Sequence, residues 1–219
     1  MDGRVNNPWF GLPNGPPYVL PADMPYVEEF NKTARPQFAI DVRLLPEPFF
    51  GPFDAPVLVL LQNPGIGEED LRHHGRADFA SALRKSLTTR NERTHFHLTD
   101  LTNGPGRSWW LRQCKELIAE VGLANVASGL LTLEFSPYHS SRFGHARVRL
   151  PSQEFNFQLL RTAIRRRAVV IGVRGLKEWV GAVPELGTYG RLLRTNSART
   201  AALSMRNLPA YRTVAAALR

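Results

Sequence analysis

Four short apolar runs punctuate the chain after its first quarter: VLVLLQ at 57–62, GLLTLEF at 129–135, AVVIGV at 168–173 and TAALSM at 200–205. Each has the length of a strand. The first three lack the polar alternation of a strand with one wet face, so they read as strands covered by helices on both sides. Amphipathic stretches lie between them. SWWLRQCKELIAEVG (108–122) has helical spacing and stops at Gly122, while PSQEFNFQLLRTAIRRR (151–167) opens on Pro-Ser and closes on arginines, which suit the negative end of a helix dipole. RGLKEWVGAV and AYRTVAAALR predict two shorter helices. Strands alternating with helices predict an α/β fold, a three-layer α/β/α sandwich around a central, mostly parallel four-stranded sheet.

The first fifty or so residues have another texture. Proline, glycine and aromatics dominate NNPWFGLPNGPPYVLPADMPYVEEF, with neither helical nor alternating period. Residues 1–52 are therefore expected to form an extended arm docked by its aromatics on a body spanning 53–219. No repeat, heptad or low-complexity tract is present.

In a parallel sheet, ligands sit beyond the carboxyl ends of the strands. The candidate chemistry is thus at Gln62-Asn63-Pro64-Gly65, at Glu134 through Ser140, at Arg174-Gly175, and at Ser204 through Pro209. Taken alone, Asn-Pro-Gly is also a common turn.

In this order the elements resemble the uracil-DNA glycosylase superfamily, most closely its mismatch-specific and single-strand-selective branch. LQNPG resembles that branch's first motif, a strand ending in Gly-x-Asn-Pro-Gly. NGPGRSWWLRQ is similar to the segment leading into the family's first long helix, AVVIGVRGLKEWV to its third strand and helix, and SMRNLPAYRTV lies where the second motif belongs. The resemblance covers roughly residues 55 to 219. It implies a monofunctional DNA glycosylase that extrudes a damaged or deaminated base and hydrolyses its N-glycosidic bond, with Asn63 positioning the attacking water. Gln62, Pro64, Gly65 and Glu134 would contact the base, Phe79 or Phe96 would stack under it, and Arg174, Asn207 and Leu208 would face DNA, with Leu208 as the wedge.

The departures are informative. The second motif's usual His or Asn is replaced by Ser204, with Arg206 as a substitute cation near the leaving base. Glu134 stands where several relatives use Asn to read uracil. An ionised Glu only accepts hydrogen bonds, so a base with an exocyclic amine, or a neutral Glu, would suit the position. Pro137-Tyr138-His139 resembles the Asp-Pro-Tyr-His of the main uracil-excising branch but lacks the acid and follows the wrong strand, so it reads as coincidence. A catalytically inactive nucleic-acid binder of the same superfamily is the alternative. A nucleotide-binding Rossmann protein ranks last, because GxGxxG is absent after the first strand.

Composition narrows the partners. A net charge of +9, carried mainly by arginine, suits a polyanion, and DNA is the expected partner. Arg165-Arg166-Arg167 suits phosphate or the end of a helix equally well. The lone Cys114 excludes an internal disulfide and the four-cysteine iron–sulfur branch of the superfamily, and it is expected to pack in a core. No cofactor is expected. His73-His74 and His95/His97 lack a diagnostic metal-ligand spacing and read as solvated loop histidines. Trp109-Trp110 read as core and rim packing. No run approaches the ~18 apolar residues of a membrane helix, and MDGRVNNPWF has no signal layout, so a cytoplasmic, membrane-free monomer is expected.

Overall fold

The computed structural model describes residues 6–89, 94–100, 103–197 and 199–219. Among these residues one sheet has five strands in the order β1-β3-β2-β4-β5. They are β1 Phe49–Phe50, β2 Val57–Leu61, β3 Leu130–Glu134, β4 Val169–Gly172 and β5 Leu192–Arg194. Strand β2 is central and pairs in parallel with β3 (Leu61 opposite Glu134) and β4 (Leu60 opposite Gly172). Only β1 runs antiparallel, Phe49 opposite Leu133.

All five residues of β2 are buried, and its pleat divides them between two cores. Leu58 and Leu60 face a core with Leu131, Leu133 and Val170 from neighbouring strands. Val57, Val59 and Leu61 face a second core with Leu130, Val169 and Ile171. Helices α3 (Ala77–Thr88), α7 (Gln153–Arg165) and α8 (Leu176–Ala182) cover the first face. The second is covered by α4 (Pro105–Gln113), α5 (Lys115–Val121), α6 (Leu123–Gly129) and the terminal α9 (Tyr211–Ala217). The α/β class and the mostly parallel sheet are as expected; three details differ.

The sheet has five strands because the arm supplies β1 and because β5 is not the run expected. Residues 200–205 form no strand: Leu203 N donates to Gln113 O on α4 instead of joining β4. The edge position goes to Leu192–Arg194, a partly exposed three-residue strand whose sequence carries almost no periodic signal. The helix expected over 108–122 is broken at Cys114, where φ −95° and ψ 7° separate α4 from α5. Cys114 itself is buried, and no described helix is long and apolar enough to cross a membrane.

The arm is docked but not wholly extended. Pro25 at the start of a turn preorganises helix α1, Met24–Thr33, and α2, Glu68–His74, follows later in the body. Trp9 is buried with its ring edge-on to Tyr138. Tyr138 Oη donates to Asp23 Oδ2 at 2.7 Å and accepts from Leu20 N at 3.1 Å, and Asp23 Oδ1 accepts from Ser152 N. Buried hydrogen bonds to both oxygens of Asp23 fix orientation as well as adding stability. They therefore set where the arm's last residues, Glu47 to Phe50, meet the sheet. Arg166 also reads as a clasp here, since its guanidinium donates to the Phe53 and Asp54 carbonyls at 2.8 and 2.7 Å.

Trp179 bridges this core to the end of β2, with its indole N–H donating to Leu61 O at 2.8 Å and its ring against Phe135 and Phe157. Trp179→Ala should lower the unfolding free energy by about 3–5 kcal/mol, read as a shifted urea midpoint with an unchanged slope.

Candidate active site

At the carboxyl ends of β2 and β3 the chain encloses a hollow of about 400 Å³. Pairing between the two strands continues past their ends, since Phe135 N donates to Leu61 O and Ser136 N to Gln62 O, so the two tips leave the sheet together. Asn63 follows directly. Its Nδ2 donates to Pro64 O at 2.8 Å and to Ser140 Oγ at 2.9 Å, with Ser140 O at 3.3 Å. Ser140 Oγ spends its own proton on Arg142 O, so it must accept from Asn63. The amide orientation is thereby settled by its partners. Every bond is made through nitrogen, which leaves the carbonyl oxygen of Asn63 as the group offered to a ligand.

Three acidic residues line the hollow, Glu47, Asp70 and Glu134; Asp70 Oδ2 is engaged at its rim, accepting from Gly67 N at 2.8 Å. Glu134 ends β3, its backbone clamped by Glu134 N donating to Pro48 O and by Asn156 Nδ2 donating to Glu134 O. Its Oε2 is buried without a partner. Burial and the neighbouring Glu47 push Glu134 well above its ordinary value, with Arg174 opposing, which favours its neutral form. Glu47 comes from the arm, one residue before Pro48, and its N–H donates to Pro137 O. Its Oε1 lies 3.4 Å from His74 Nε2 and its Oε2 3.6 Å from His97 Nε2. Burial opposes charge on Glu47, yet His97, His74 and His139 hold it well below its ordinary value. Two acids in one hollow are thus driven in opposite directions.

His139 Nδ1 faces Gly65 O at 2.6 Å and Nε2 faces Leu45 O at 3.1 Å. Burial draws His139 below the usual histidine value while Glu47 pulls the other way. A neutral ring has one N–H and can serve only one of those carbonyls. Glu47, His74 and His139 each bring a ligand atom within 4.8 Å of the others. A metal-bound imidazole needs a free lone pair on one nitrogen and an acceptor for the N–H of the other. His139 has both nitrogens against carbonyls, and His74 Nδ1 is buried without a partner. The set fits a carboxylate lying among imidazole nitrogens better than a metal ion.

Seven of the residues expected at a site line this hollow: Gln62, Asn63, Pro64, Gly65, Phe79, Glu134 and Arg174. Phe96 does not; it packs behind, 5.7 Å from both Phe79 and Phe50 between ring centroids. Ser204, Arg206, Asn207 and Leu208 lie outside the lining as well. Ser204 Oγ accepts from Asn207 N and closes a turn. The Asn207 side chain clasps that loop by accepting from Ser197 N and donating to Ala202 O, so it is spent on structure rather than facing DNA. Leu208 is fully buried in the second core, which removes it as a wedge. The exposed apolar residue of this turn is Met205, 62% accessible.

Several residues were missed. Glu47, His74, His97 and His139 line the hollow, and none is a solvated loop residue: His74, His97 and His139 are all buried. His139, expected to stand apart from the site, is therefore part of its lining. Trp109 and Trp110 line the hollow in addition to packing. An acid flanked by Pro46 and Pro48 in an apolar stretch was the available signal for Glu47.

No protein-family model, curated protein or solved structure matches the chain.

A carboxyl group with a raised folded-state value gives stability below its unfolded value and loses it as pH climbs toward the raised one. Glu134→Gln keeps the shape and removes the ionisation. The variant should gain stability over the parent as pH rises above the ordinary 4.5, seen as urea midpoints that diverge with pH and coincide in acid.

Proposed function

We propose that this chain is a DNA glycosylase-like hydrolase of the uracil-DNA glycosylase type, removing an altered base from an extruded nucleotide by hydrolysis of the N-glycosidic bond. The observation that carries the reading is the Asn63 amide, on a residue that lines the hollow at the strand tips and locked through its nitrogen so that its carbonyl oxygen is left to a ligand. A carbonyl oxygen holds water without deprotonating it, and little activation is needed against a sugar carbon that is becoming cationic. Rigid placement supplies the advantage.

Other features support the same chemistry. A hollow of about 400 Å³ falls within the roughly 300–1,000 Å³ of small-molecule sites. Phe50, Phe79, Trp109 and Trp110 give it the aromatic lining that a flat base requires. The neutral form of Glu134 both donates and accepts, as an amide does, so a base with an N–H beside a carbonyl is compatible with it. Met205, flanked by Arg206 on the exposed turn, is an apolar wedge of the kind that fills the gap left by a displaced base. Catalysis in this reading rests on Asn63 and not on Ser204 or Arg206.

The displacement of Ser204 and Arg206 from the hollow also favours a second reading, a nucleic-acid binder without base release. Base release from oligonucleotides carrying uracil, hypoxanthine, xanthine or alkylated bases, single-stranded and mismatched, separates the two. Asn63→Ala should reduce release on the order of 100-fold while leaving binding intact; no release by the parent protein from any substrate supports the binder. Met205→Ala should weaken duplex binding more than single-strand binding in a fluorescence anisotropy titration. Both affinities should fall steeply with salt.

A further inference from the structure

Glu47 is not needed by the reaction as described, since Asn63 can hold the water unaided. Yet an ionised carboxylate in a mostly buried position is costly unless it is paired or used. Its two nearest partners stand at 3.4 and 3.6 Å, longer than direct hydrogen bonds. Glu134 poses the complementary question, because its Oε2 is buried and unpartnered and the residue lines the same hollow. The two are neighbours through the sheet: Pro48, next to Glu47, accepts from Glu134 N at 2.9 Å.

We infer that Glu47 and Glu134 are a proton-transfer pair for this hydrolysis, with Glu47 the base that takes a proton from the attacking water and Glu134 the acid that protonates the departing base. This rests on the glycosylase reading and extends it. In the step, the water held by Asn63 bonds through oxygen to the anomeric carbon and gives one proton to Glu47. The carbon–nitrogen bond breaks with its electron pair passing to the base nitrogen. Glu134 delivers its proton to the base, which leaves neutral. Glu47 ends protonated and Glu134 ionised, and one proton passing from the first to the second restores the starting state. Water and glycoside are consumed, and a sugar hemiacetal and a free base are produced.

The surroundings fit those roles. His74 from α2, His97 from the short helical turn Phe96–Leu98 and His139 from the loop after β3 face Glu47 and favour its charge. Glu134 faces Glu47, which opposes a second charge, and Arg174 beyond β4, which favours one. His95, on the same turn as His97, is kept neutral by its own burial. Environments that separate two acids in one site mark the base and the acid. Protonating the leaving group matters most for bases that are poor anions, so the pair directs this site toward such bases, purines among them.

The test is single-turnover base release by the full chain across pH, over the same oligonucleotide panel, for the parent, Glu47→Gln, Glu47→Asp and Glu134→Gln, each first checked for a cooperative melt. A bell-shaped profile is expected. Glu47→Gln should lose about 100-fold or more and abolish the acidic limb, with Glu47→Asp retaining part of the activity and the limb. Glu134→Gln should abolish the alkaline limb, with a loss that grows as the departing base becomes less acidic, and substrate affinity should change little in either variant. Release by the parent with both limbs unmoved in the variants overturns the pair and leaves the glycosylase reading standing. No release by the parent from any substrate overturns both.

Discussion

A strand without an exposed face constrains everything around it. Strand β2 has no side chain in water, so its backbone must be satisfied by strands on both sides and its side chains by helices above and below. Parallel partners satisfy the first demand, and they bring the tips of β2, β3 and β4 to one edge of the sheet. The turn after β2 then has to form at that edge. Ser140, delivered by the loop after β3, receives the Asn63 amide there, so the orientation of a single side chain follows from the pairing of two strands.

The second constraint is electrostatic. Burial opposes charge on Glu47 at the same edge but three histidines from separate segments favour it, while burial and Glu47 itself favour the neutral form of Glu134. A stable core would not choose this arrangement, since an apolar replacement of buried ionic groups is often neutral or stabilising. Stability alone does not account for the arrangement. The arm contributes here in a way its composition conceals: the Trp9, Tyr138 and Asp23 contacts anchor it, and the anchoring places Glu47 in the site.

Much of the fold was legible because β2, β3 and β4 are continuous apolar runs separated by helices with 3.6-residue spacing. Strand β5 was not, because three half-exposed residues at a sheet edge carry no period, while the more apolar 200–205 run satisfies itself against α4 without pairing to the sheet. At the site, the Asn63 turn and Glu134 were legible as polar residues at strand ends. Leu208 was misread because a linear alignment cannot say which side of a turn faces the core. Glu47 and the histidines were hidden for a related reason. They come from four parts of the chain, and only the tertiary arrangement shows that their charges interact.

The central claim is that the hollow between Asn63 and Glu134 receives one extruded base. A crystal structure of the Asn63→Ala variant with an oligonucleotide carrying an uncleaved altered base tests it most directly. The expected result is a single base inside the hollow, its edge within hydrogen-bond distance of Glu134 and its sugar carbon beside the space vacated by the Asn63 amide. DNA bound with every base stacked and the hollow empty, or seated on another face of the protein, would contradict it.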